Sequence, residues 1–175
     1  RRDDFAIATR LALFLWGTTP NDWLLDQAEA GNLRDATSRR AIADEMLRDP
    51  HAIDQVEHFH AQWLGFVQLP HDPELTTSMR LETRALLERV IFEDDLPYVE
   101  VFLSDETYVD AMLAEHYGMA TPTRAEFVRY EDPRRAGLLA HGSLMGALST
   151  GGDTNTTRRG VFVRERLMCQ TIPPP

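Results

Sequence analysis

Apolar side chains recur along this chain every three or four residues, and polar caps, glycines and prolines cut the recurrence into helix-sized pieces. Phe5, Ala8, Ala12 and Leu15, with Leu11 and Phe14 beside them, predict a first helix ending near Trp16. It opens near Asp3 or Asp4, where an acidic residue suits the positive end of the helix dipole. Gly17 and Pro20 make a tight connection, and Asn21-Asp22 opens a second helix that stops at Gly31. Asp35 can cap a third, with Ile42, Ala43, Met46 and Leu47 on one stripe. Asp49-Pro50 ends it and starts the fourth, with Asp as cap and Pro at the first helical position, where a missing N–H costs nothing. That fourth stripe is Ile53, Val56, Phe59, His60, Trp63, Leu64 and Val67.

Beyond Pro70 and Pro73 a longer helix carries Met79, Leu86, Leu87, Val90 and Ile91 up to Phe92. Pro97 opens a short helix with Val101 and Phe102. Ser104 is expected to cap the next, on which Val109, Met112, Leu113, His116 and Tyr117 share a face before Gly118. Residues 126–131 are the one candidate strand, without an obvious partner, and Pro133 ends it. A small-residue-rich helix over about 134–148, a loop over 149–157 and a last helix over about 158–169 lead to closing prolines that read as an extended linker. The expected fold class is all-α: an irregular bundle of about seven to nine helices with at most one short strand or hairpin near 126–131. Trp16, Trp23, Trp63 and Tyr117 are its expected structural anchors, because their large rings dominate core area.

With 175 residues the chain can bury a sizeable core. Its 18 basic residues, all Arg, face 28 acidic ones for a net charge of -10, which makes nucleic acid and anionic lipid poor partners. Cys169 is the only cysteine, so no disulfide forms within the chain, and no CxxCH occurs. The longest apolar run, 11–16, is far short of the roughly 20 residues that span a bilayer. The opening at Arg1 without Met and the closing prolines suggest a piece of a longer protein.

Several residues invite a chemical reading, and each has a plainer one. Glu57 and His60 form a Glu-x-x-His pair of the kind that serves di-iron bundles, and Glu82, Glu88, Glu115 and His116 could be imagined as partners. The second pair is missing, so no metal is assigned, with Glu57, His60 and His116 the weak candidates. His58 and His60, two apart on a helix, point in different directions. Ser143 follows His141-Gly142, yet the nucleophile elbow needs Gly-x-Ser-x-Gly between strand and helix, so no catalytic residue is assigned. Asp153, Asn155 and Thr157 alternate like calcium ligands but lack the loop's glycine and distal Glu. Arg158, Arg159, Arg164 and Arg166 make a basic patch that could hold an anion or an acidic partner face, or pair with the chain's own carboxylates. Cys169 reads as a small buried hydrophobe.

Spaced blocks carry a resemblance. Residues 10–17 (RLALFLWG), 20–25 (PNDWLL), 30–33 (AGNL), 46–50 (MLRDP), 62–65 (QWLG) and 108–118 (YVDAMLAEHYG) are similar to a domain of unknown function in large planctomycete and myxobacterial proteins associated with c-type cytochromes. From Arg134 onward, Arg135-Ala-Gly-Leu-Leu139, Arg159-Gly160 and Glu165-Arg-Leu-Met-Cys169 before prolines resemble the start of the next domain in those proteins. Asn155-Thr-Thr157 and Phe162 depart from that pattern, where Thr-Ser-Pro and Trp are usual. The resemblance implies a helical domain over 1–130 and the start of an adjoining cytochrome-associated domain over 131–175, ending in a Pro-rich linker. It implies an extracytoplasmic protein in which Cys169 is the pre-proline cysteine, not a haem cysteine. Haem c belongs to the downstream domain, and this chain carries no cofactor.

The leading expectation is therefore a non-catalytic structural and interaction module whose partner is the downstream cytochrome domain of the same polypeptide, supporting electron transfer. Arg135, His141, Arg158, Arg159, Gly160 and Arg164 are its candidate interaction residues. The rivals are a metal-dependent or redox enzyme domain with a pocket among the helices, and a surface-binding module presenting aromatic rings.

Overall fold

The computed structural model describes residues 2–150, 153 and 155–173. They form nine helices, one two-stranded antiparallel sheet and short 3-10 and π turns. The chain divides into two compact units, Arg1–His58 and Phe59–Pro175. No described helix is long and apolar enough to cross a membrane.

The first unit holds α1 (Arg2–Leu15), α2 (Asp22–Ala30), α3 (Ala36–Met46) and the first part of α4 (Pro50–Leu64). Its boundaries follow the caps read from the sequence. The Asn21 side chain accepts from the Leu24 amide, Gly31 closes α2 in the left-handed conformation, and Asp35 accepts from Ser38. Asp49 Oδ1 accepts from the His51 amide at the start of α4, which holds its carboxyl below the usual range. Gly17 has φ +66, a left-handed conformation that L side chains rarely adopt, and this is what favours glycine at the turn; the Gln55 amide lies over it but is a flexible end that can move. Trp16 is buried and donates its indole N–H to the Met46 carbonyl at 2.8 Å. Trp23, expected as a second anchor, is 37% exposed and tilts against Trp16 at 6.5 Å between ring centroids. α1 presents the fully buried Ala8 and Ala12, whereas Phe14, 77% exposed, lies outside the stripe.

The second unit is built on α5 (Pro73–Glu88), capped by Asp72 and prolonged by a π turn over Arg89–Glu93. After α6 (Glu100–Leu103) the chain departs from the expected all-α class. Residues Glu106–Val109 form β1, which pairs with β2 (Glu126–Arg129) in the register Glu106↔Arg129, Thr107↔Val128, Tyr108↔Phe127 and Val109↔Glu126. The helix expected from Ser104 thus begins only at α7 (Ala111–Tyr117), where Asp110 is the cap and accepts from the Leu113 amide. Ser104 instead binds both the amide and the carbonyl of Glu106. Thr107, Tyr108 and Val109 are the residue types that favour a pleated, half-buried surface, and Thr107 and Val109 alternate into the core. Val109 keeps its place on the apolar stripe as the end of a strand. The lone candidate strand thereby finds its partner in a segment that periodicity reads as helical.

The helix expected over 134–148 is also broken. Gly137, at φ +46, has a Cβ position 2.3 Å from the Val101 carbonyl oxygen and 2.8 Å from Phe102 Cα, so chain crowding forces glycine and ends any helix there. A 3-10 turn over Leu138–Ala140 precedes α8 (Gly142–Ala147), which opens after an extended His141. The last helix, α9 (Thr156–Phe162), continues as a π turn over Val163–Leu167. Cys169, expected to be buried, is exposed. α5 packs on β1, α7 and α8, and the core between them includes Met79, Val109, Leu113 and Ala114.

Candidate functional site

Inside the second unit, α5, β1, α7 and α8 bring polar groups together where no solvent reaches. Glu82, Thr83, Thr107, His141 and Ser143 are all fully buried. Glu82 Oε1 accepts from the Thr107 hydroxyl, and Oε2 accepts from the Tyr117 hydroxyl at 2.7 Å and the Gly142 amide at 3.0 Å. The Gly142 amide also points at the Tyr117 oxygen at 2.6 Å, so the first amide of α8 is shared between them. A buried carboxyl is tolerable only when donors surround it, and three elements supply them. On the next residue of α5, Thr83 Oγ1 lies 2.7 Å from Ser143 Oγ and 3.1 Å from His141 Nδ1.

Electrostatics follow from this closure. Burial, then the Glu82 carboxyl, pushes the Tyr117 phenol well above its usual value. The same causes take Tyr130 up to about 12. Burial lowers His141 despite the opposing pull of Glu82, so the imidazole favours its neutral form. His141 Nε2 and the Tyr130 hydroxyl have no hydrogen-bond partner among the described residues.

The outer wall of this interior is cationic. The Arg135 guanidinium stacks on the rings of Tyr117 and Tyr130, 4.4 and 4.8 Å from their centroids, and donates to the Ala140 carbonyl. Beyond it lies a groove of about 540 Å³ lined by Arg134, Arg135 and Arg159 with Phe102, Leu139 and Met145. Arg134 forks onto Asp132, whose carboxyl this pairing draws down to about 2. A second groove, about 460 Å³, is lined by residues that include Leu64, Phe162, Arg158, Glu165 and Arg166.

The expected interaction residues therefore part company. Arg135 and Arg159 share one groove, and Arg158 lines the other while donating to the Ser149 carbonyl. Arg164 binds Gln170, and Gly160 is exposed with open space where a side chain would stand. His141 is corrected from surface contact to buried core, because Gly142 brings the start of α8 against Glu82 and seals the imidazole beneath it. Tyr117 anchors this interior through its hydroxyl. Trp63 is half-buried and stacks on Phe59.

The weak metal candidates are not assembled. Glu57 and His60 are buried on α4, with His60 Nε2 2.7 Å from the Tyr98 hydroxyl, while His116 is exposed beside His71 and Tyr117. No group of three or more His, Cys, Asp or Glu among the described residues is arranged to hold a metal ion. Covalent haem attachment needs CxxCH, and the single Cys169 is followed by Gln170, Thr171 and Ile172, so this chain does not fit that group. Asp153 and Asn155 serve the loop itself, Asp153 in an isolated bridge with Thr150 and Asn155 as the cap of α9. Sequence reading missed Thr83, Thr107 and Tyr130. A polar residue at an inward strand position is a usable signal only once the strand is recognised.

A helix-dominated domain with a closed polar interior and an open cationic groove is the class these features define. Residues 3–119 match the family described as PSD4, protein of unknown function (DUF1592), and the chain belongs to that family. Residues 135–175 match the description PSCyt3, protein of unknown function (DUF1588). No curated protein and no solved structure matches the chain.

Proposed function

We propose that the chain is a non-catalytic structural and interaction module of a larger exported protein, in which it positions a downstream c-type cytochrome domain for electron transfer. Its two matched families stand in tandem, which supports reading residues 131–175 as the start of an adjoining cytochrome-associated domain. Its buried carboxyl has both oxygens occupied by the chain's own donors.

The observation that carries the reading is an exposed apolar face on the second unit. Phe59 stacks on Trp63 and meets His60 edge-on, His60 lies against Tyr98, and Tyr98 meets Phe102. Phe59, Tyr98, Val99 and Leu103 in this run are exposed, and clustered exposed apolar side chains mark contact faces. The occupant proposed is the downstream domain of the same polypeptide.

The parent reading frame provides the first test: it should carry an export signal upstream and a CxxCH soon after Pro175, and finding neither removes the basis of the proposal. Hydroxyl-radical footprinting of the parent protein against this chain provides the second. Phe59, Tyr98 and Leu103 should be protected in the parent, and equal labelling would overturn the contact. Elemental analysis of the purified chain guards the rival, since a stoichiometric transition metal would favour an enzyme domain.

A further inference from the structure

The groove beside Arg135 holds two guanidiniums whose donors are largely unspent. A guanidinium carries five N–H donors, and Arg135 commits only Nη2, to the Ala140 carbonyl at 3.2 Å. Its face is fixed on Tyr117 and Tyr130, so the half-buried cation is held in place with Nε and Nη1 unbonded among the described residues. Arg159, across the same groove on α9, makes no side-chain hydrogen bond or ion pair among the described residues. Arg134 differs, because Asp132 already takes its fork. The rest of the lining includes Phe102, Leu139 and Met145, which offer no counter-charge. In a chain of net charge -10, Arg135 and Arg159 line one cavity with most of their N–H donors unbonded among the described residues, the neighbouring Asp132 feeling the Arg135 charge while its oxygens take the Arg134 fork.

We infer that this groove binds an amphipathic organic carboxylate, its carboxylate bridging Arg135 and Arg159 and its apolar body resting on Phe102, Leu139 and Met145. The guanidinium fork matches a carboxylate with two parallel donors, and the bond strengthens where the surroundings are apolar. A volume of about 540 Å³ suits a small molecule. This site is independent of the module reading, because it requires neither a partner domain nor haem.

Titration calorimetry of the full chain with sodium 2-naphthoate tests it, with 2-naphthalenemethanol as the neutral shape match and inorganic phosphate as the anion without an apolar body. The expected result is saturable one-site binding of 2-naphthoate that weakens with salt, and at least about tenfold weaker binding of both controls. Arg159→Glu should reduce 2-naphthoate affinity by at least about tenfold while leaving the circular dichroism spectrum and thermal midpoint unchanged. Methyl NMR places the ligand: the Met145 and Leu139 methyl signals should shift in proportion to saturation. Absence of saturable binding, equal binding of the alcohol, wild-type affinity in Arg159→Glu, or shifts confined to other methyls would each overturn the assignment.

Discussion

The interior around Glu82 and the groove beside Arg135 treat polar groups in opposite ways, although Tyr117 belongs to both: its hydroxyl donates to Glu82 and its ring carries the Arg135 guanidinium. In the interior, Thr107, Tyr117 and Gly142 hold the two oxygens of Glu82, and Thr83 lies within hydrogen-bond reach of His141 and Ser143. In the groove, Arg135 and Arg159 keep most of their donors free. The difference teaches that a charged residue's location decides what it is for. Groups sealed from water must satisfy one another or the fold fails. Groups at a rim can wait for a ligand, because water holds them meanwhile.

That contrast can be broken from either side, and the interior should respond most. Glu82→Ala leaves the buried Thr107 and Tyr117 hydroxyls without their acceptor and opens a void, so urea unfolding should show a loss of about 4 kcal/mol; a loss below about 1 kcal/mol would mean the network is dispensable. Gly137→Ala places a methyl against the Val101 and Phe102 backbone at a left-handed φ, and should cost about 3 kcal/mol by the same measurement.

Acid provides the next, smaller effect. His141 has a lowered folded pKa against 6.5 when unfolded, so below pH 6.5 the unfolded chain takes up the proton first. Stability is therefore fully present above pH 6.5 and falls as pH drops from there toward the folded value, by at most about 1.4 kcal/mol per pH unit. His141→Asn should flatten that slope between pH 6.5 and 5. Losses from Asp49 and Asp132, whose folded values lie below the usual carboxylate range, belong to pH below about 4 and leave this window clear. The smallest change is expected at the rim: Arg159→Glu should leave the thermal midpoint within about 1 °C, since an exposed side chain with no partner among the described residues has little to lose.

How much of this was legible varies with the range of the interaction that decides it. Asn21, Asp35 and Asp49 each bind a backbone amide two or three residues ahead, so these helix starts could be read directly from residue type and spacing; Asp72 does the same before α5, a cap the sequence reading passed over. The segment around Val109 could not be read that way. Its spacing satisfies a helix, and only pairing with residues 126–129, about twenty positions on, makes the strand the better choice. His141 illustrates the same limit for the site. Beside Gly142 and Ser143 it looks like exposed chemistry, yet α5, distant in sequence, closes over it.

By itself the sequence determined the helical character, the caps of α2 to α4, the acidic balance and the Gly17 turn, because each depends on residues close along the chain or on composition alone. Only the tertiary structure decided that Ser104 would precede a strand, that Glu82 would be enclosed by donors from three elements, and that Arg135 and Arg159 would line one cavity. Those outcomes require contacts between segments far apart in sequence, and no local periodicity encodes which of them will meet.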